Sequence, residues 1–87
     1  MKPIALQVLK TPGCHICHRF LEFWETKKAD FPNVTTEVMD IVEDPKAQEL
    51  VQKFQIFSSP GIILNGEIFA TGGYKENDFL AKLKALS

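Results

Sequence analysis

The chain has 87 residues, a formal net charge of −1 and a composition that is 45% hydrophobic and 24% charged. This is the balance of a folded domain rather than a disordered one, and the length suits one modest core. A near-neutral chain without a basic run offers no field that would draw nucleic acid or an anionic membrane surface.

The elements follow in order. Ile4 to Leu9, IALQVL, is a short apolar run that predicts a buried strand. Lys10-Thr11-Pro12-Gly13 is a loop punctuated by proline and glycine. From Cys14 to about Lys28 the spacing predicts a helix. Cys17, Phe20, Leu21 and Trp24 recur at i, i+3, i+4 and i+7, and Ile16 and Phe23 widen the stripe. Phe31-Pro32-Asn33 breaks the chain, and the β-branched VTTEVMDI predicts a second strand. Asp44-Pro45 marks a helix start, a capping side chain followed by proline at the first helical position. Ala47, Leu50, Val51 and Phe54 supply that helix with an apolar face. GIIL predicts a third strand, Asn65-Gly66 a tight hairpin, and EIFA the returning strand. After Gly72-Gly73, a last helix from about Lys75 carries Phe79, Leu80, Leu83 and Leu86 on one side. The order β-α-β-α-β-β-α implies a parallel pair joined by a right-handed crossover, then a hairpin and a helix.

A single domain over residues 1–87 is expected, and a monomer. No stretch approaches membrane-spanning length. The apolar run at Ile4–Leu9 is interrupted by Gln7 and followed by no small-residue cleavage site, so a cytoplasmic location is expected. Thiols stay reduced in that compartment, so Cys14 and Cys17 read as catalytic or metal-binding rather than as a structural disulfide.

Cys14-His15-Ile16-Cys17-His18 supports three chemistries. Cys14-x-x-Cys17-His18 matches a haem-attachment pattern, but the mixed α/β order and the lack of a secretory signal give it no support. As metal ligands, Cys14, Cys17 and His18 share one helix face. A structural zinc site usually draws a second ligand pair from a distant segment, and no Cys or His follows His18. A small zinc or copper carrier using these residues is the alternative reading. A redox dithiol needs a helix N-terminus that favours thiolate, a loop exposing the first sulfur, and a second thiol within one turn. All three needs are met, with Cys14 as nucleophile and Cys17, on the apolar stripe, as resolving thiol. His15, when protonated, and Lys10 add positive potential near Cys14. His18 reads as a surface residue.

LKTPGCHIC after the first strand, FQIFSSPGIILNGE across the third, and Gly72-Gly73 before the last helix resemble the thioredoxin–glutaredoxin superfamily, particularly its smallest members. The likeness covers almost the whole chain. It implies a thioredoxin-like α/β fold, a four-stranded mixed sheet with helices on both faces, and thiol–disulfide oxidoreductase activity without a bound cofactor. It also implies a cis proline at Pro60 beside the dithiol, with Ser59 offering backbone groups to a substrate in strand-like pairing. A glutathione site on this fold would use Lys10 for the glycine carboxylate. The N–H groups after Gly72-Gly73, near Tyr74 and Lys75, would take the γ-glutamyl carboxylate. The expected partners are protein disulfides and an electron donor, either a flavoprotein reductase or glutathione as co-substrate.

The chain departs from both subfamilies. Gly13 stands where thioredoxins typically have Trp, and His15-Ile16 where they have Gly-Pro. The first strand is apolar around Val8, where thioredoxins place a buried acid. Lys75 stands where glutaredoxins commonly have an acid, leaving Glu76 or Asp78 to substitute. This last departure tilts the expected donor toward a reductase.

Overall fold

The computed structural model describes residues 1–87. Its elements are β1 (Ile4–Lys10), α1 (His15–Lys27), β2 (Val34–Asp40), α2 (Pro45–Phe54), β3 (Gly61–Leu64), β4 (Glu67–Thr71) and α3 (Glu76–Leu86). A 3₁₀ turn at Lys28–Asp30, which the periodicity does not announce, follows α1. The four strands form one sheet in the order β2-β1-β3-β4. β1 runs parallel to β2 and antiparallel to β3, and β3 and β4 are antiparallel. This is the mixed α/β architecture that the element order implies. No helix is long and apolar enough to cross a membrane.

Period-two alternation sorts the strand residues onto two faces. Ile4, Leu6 and Val8 of β1 and Ile62 and Leu64 of β3 pack with Phe20 and Trp24 of α1 and Phe79 and Leu83 of α3. Leu9, Met39 and Ile63 point the other way and pack with Ala47 of α2 and with Ile56. Helices thus cover both faces. The Trp24 indole N–H, buried at the sheet, donates to Thr36 Oγ1 at 2.8 Å.

Local chemistry sets the ends of the elements. Asp44 caps α2, its side chain accepting from the Lys46 N–H at 2.9 Å, with Pro45 in the first turn. Asn65 and Gly66 adopt φ of 51° and 78°, so both residues of the β3–β4 turn are left-handed. The stripe on α1 is narrower than its sequence suggests. Cys17, Phe20 and Trp24 are buried and Leu21 and Phe23 partly so, but Ile16, in the first turn, is 41% exposed.

The register brings three chain segments to one end of the sheet. Leu9 faces Gly61, and Gly61 faces Thr71. The loop after β1, the loop before β3 and the loop after β4 therefore meet at that end. They carry Thr11–Cys14, Ser58–Pro60 and Gly72-Gly73.

Candidate active site

Cys14 is the N-cap of α1, with extended backbone at φ −79° and ψ 105°. Gly13 before it has φ +75°, a conformation that costs a glycine little. The Cys14 N–H donates to the Thr11 carbonyl at 3.3 Å, and the His18 N–H donates to the Cys14 carbonyl at 3.1 Å, opening the helix. The Cys14 sulfur accepts from the Cys17 backbone N–H at 3.1 Å. A side-chain sulfur thus takes up one of the free N–H groups at the positive end of the helix. Cys14 and Cys17 are joined as a disulfide. Cys14 is half-buried, while Cys17, on the core-facing stripe, is only 2% exposed.

A cavity of about 320 Å³ adjoins the disulfide, lined by Lys10, Thr11, Pro12, Gly13, Cys14, His15, Cys17, His18 and Leu21. Lys10 and His15 therefore reach the same concavity as both cysteines. His18 is exposed and its Nε2 lies 2.9 Å from Glu22 Oε1, one turn along the helix. Cys14, Cys17 and His18 do not converge as a ligand set: no three His, Cys, Asp or Glu side chains are placed together to hold a metal ion. No charged side chain is buried in the core beneath the dithiol.

The Ser59-Pro60 peptide is cis. The Ser59 hydroxyl donates to the Cys14 sulfur at 3.4 Å and lies 2.8 Å from the Thr11 hydroxyl. Gly72 braces this loop from behind. Its N–H donates to the Pro60 carbonyl at 3.0 Å. At Gly72 φ is +76°, and a Cβ would lie 2.7 Å from the Ser58 Cβ, so only glycine fits. Gly73 and Tyr74 sit elsewhere. With Phe69, Ala70, Lys75 and Asp78 they line a separate concavity of about 460 Å³. The Tyr74 ring meets Phe20 edge-on at 4.9 Å. Burial, and then the Glu76 charge, push the Tyr74 hydroxyl above its ordinary pKa against a weaker pull from Arg19, so it is a neutral phenol at neutral pH.

Two hydroxyls at the site, those of Thr11 and Ser59, have no signal in the sequence, where only the Ser59 backbone is implied. Their contact joins residues 48 apart in sequence, and no local pattern signals it.

A four-stranded mixed sheet flanked by helices, with a Cys-x-x-Cys disulfide at the mouth of its first helix, is the architecture of the thioredoxin-like proteins. The family model for the thioredoxin domain matches residues 4–85, and the chain belongs to that family. Among solved structures it is similar to thioredoxin from Fasciola hepatica at 14% identity and a TM-score of 0.76, covering 98% of this chain and 82% of that one. It is similar to a malaria parasite thioredoxin-2, described as a component of protein secretion machinery, at 19% identity and a TM-score of 0.75, covering 95% and 82%. A third similar structure is a complex of ferredoxin:thioredoxin reductase with thioredoxin f2, at 15% identity and a TM-score of 0.70, covering 98% and 78%. No curated protein sequence matches the chain. The family and the Cys14–Cys17 disulfide support thiol–disulfide oxidoreduction.

Proposed function

We propose that this protein reduces protein disulfides, with Cys14 as the attacking thiol and Cys17 as the resolving one. The asymmetry of the two sulfurs carries the reading. Cys14 is accessible, caps a helix and receives two hydrogen bonds, whereas Cys17 is 2% exposed. Those donors and the helix dipole favour thiolate at Cys14. The thiolate attacks one sulfur of a substrate disulfide. A mixed disulfide forms, and the other substrate sulfur leaves as thiolate and takes a proton. Cys17 then loses its proton and attacks Cys14. The Cys14–Cys17 bond forms as the second substrate thiol departs. Two protein thiols have become a disulfide and one substrate disulfide has become two thiols. A reducing compartment such as the cytosol suits this direction.

We further propose a protein reductase, rather than glutathione, as the donor that restores the dithiol. A thioredoxin of similar fold is held in complex with a reductase. Here Lys75, rather than an acid, stands where the ammonium of glutathione would need one, and Asp78 is the acid that lines the same concavity as Gly73 and Tyr74, so the donor assignment holds if Asp78 does not replace that bond. One missing charge-assisted hydrogen bond costs about 1.5–3 kcal/mol, roughly 10- to 150-fold in affinity.

Insulin reduction and trapping test both parts. Cys14→Ser is expected to abolish turnover, and Cys17→Ser to accumulate mixed disulfides. Equal loss in the two variants with no trapped species, together with tight zinc or copper binding, would overturn the reading in favour of a metal carrier. Paired turnover with thioredoxin reductase and with glutathione plus its reductase is expected to favour the first. Efficient turnover on glutathione alone reverses the donor assignment.

A further inference from the structure

Thr11 and Ser59 take no part in the exchange steps, yet their hydroxyls form a chain that ends on the reacting sulfur. Thr11 Oγ1 lies 2.8 Å from Ser59 Oγ, and Ser59 Oγ lies 3.4 Å from Cys14 Sγ. Both residues are half-buried. Neither end of the chain is loose. The Thr11 carbonyl holds the Cys14 N–H, and Gly72 holds the Pro60 carbonyl on the far side of Ser59. Thr11 thus grips the nucleophile through its backbone and the serine through its side chain.

We propose that Thr11 and Ser59 form a hydroxyl relay whose polarity follows the redox state of Cys14. The proposal rests on the reading of Cys14 as a redox nucleophile. Ser59 has a single hydroxyl proton. Opposite a disulfide sulfur, a weak acceptor, its bond to Cys14 Sγ is long and weak, and within the Thr11–Ser59 pair either hydroxyl can donate to the other. Once reduction leaves a thiolate, the Ser59 proton turns to the anion. Its lone pairs are then free to accept from Thr11. The thiolate then holds the Ser59 donor firmly beside the Cys17 N–H, and charge assistance makes such a bond roughly twice as strong as a neutral one. Polarisation by Thr11 strengthens it further. Thr11 never touches the sulfur, so it is a positioning residue. The relay needs no movement of the backbone, because both distances are in place in the oxidised state.

Other groups also bias the sulfur. Lys10 from β1 and His15 and His18 from α1 line its cavity. The Phe57–Pro60 segment brings no charge, and Lys75 lines a different concavity. Substitutions at Thr11 and Ser59 leave all of these groups in place, so a shift in Cys14 titration reports the hydroxyls.

The experiment is iodoacetamide labelling of Cys14 against pH in a Cys17→Ser background, which keeps the residue-17 N–H and needs no turnover. Ser59→Ala is expected to raise the labelling midpoint by about one pH unit, a roughly tenfold slower reaction below the midpoint. Thr11→Val should raise it by a fraction of that, and Thr11→Ser should restore it. In the Ser59→Ala protein, Thr11→Val should add nothing, because the chain is already broken. Thr11→Ala serves if Thr11→Val fails to fold. A merely structural threonine would lower the melting temperature and leave the midpoint alone. The relay is overturned if the Thr11 variants leave the midpoint unchanged, or if their shift adds in full to that of Ser59→Ala. Wild-type protein without disulfide reduction overturns the oxidoreductase reading itself. Active protein with an insensitive midpoint overturns only the relay.

Discussion

The two faces of the sheet are unequal. The face under α1 and α3 buries ten residues, among them Phe20, Trp24, Phe31 and Phe79. Phe79 stands edge-on to Phe20, Trp24 and Phe69, with ring centres 5.0, 5.8 and 5.5 Å away. The face under α2 buries five residues, none of them aromatic. Buried apolar area is the main stabilising term, so the first face holds more of the fold. The difference maps onto the site. Cys17 belongs to the stripe of α1 that faces the deep core, and Ser59 to the segment that leaves α2 past Ile56 on the shallow side. The Cys17 sulfur is thus carried on the helix face that packs on the larger core. The Ser58–Pro60 loop sits on the side with less packing to disturb. Phe57, just before that loop, is 91% exposed, beside a concavity shared with Thr11 and Ser59.

Paired truncations test this inequality most strongly. Phe79→Ala is expected to cost about 3–5 kcal/mol in urea unfolding, and Met39→Ala on the other face about 2 kcal/mol. Equal losses would mean that the faces share the load. A smaller effect separates the two glycines that follow β4. Gly72→Ala forces a Cβ against Ser58 at φ +76°, so a loss of about 2 kcal/mol is expected, with weakened disulfide reduction as the Ser58–Pro60 loop shifts. At Gly73 a Cβ meets nothing within 4 Å and φ is not positive, so Gly73→Ala should fold with stability within about 0.5 kcal/mol of the parent. A Gly72→Ala protein as stable and active as Gly73→Ala would show that the brace is dispensable.

The smallest effect lies on the α2 face. Glu37 accepts from Lys46 Nζ and Gln7 Nε2, and these bonds, Lys46 first, hold its carboxyl below its ordinary value. A carboxyl lowered in the folded state adds stability above its unfolded value and loses it as pH falls through the folded value. Wild type should therefore exceed Glu37→Gln in melting temperature at neutral pH by a small margin. The margin should close in the acid range below about pH 4.5 and shrink in high salt. A margin that grows on acidification would contradict the assignment.

Much of this molecule is written locally. The short apolar runs IALQVL and GIIL mark strands buried on both faces, and the register assigns Ile62 and Ile63 to opposite sides as period two requires. Asp44-Pro45 acts through a side-chain cap two residues away and a fixed proline φ, and Asn65-Gly66 through its own backbone, so their roles are local. Cys14 and Cys17 likewise owe their difference to helix position: one residue before the first turn, the other one turn along the buried stripe. Ile16 misleads because an apolar residue in a first turn looks the same in sequence whether or not anything packs on it.

The elements, their order and the contrast between a capping sulfur and a buried one follow from the chain's local pattern, because each rests on interactions within a few residues. Tertiary structure alone decided what surrounds the sulfur. Thr11, Ser59 and Gly72 come from three loops that share only the end of the sheet, and sheet register brings them together. A hydroxyl 45 positions away reaches Cys14 because strands four to seven residues long end side by side there. Hydrogen bonds between such groups depend on tenths of an ångström that only the packed core sets.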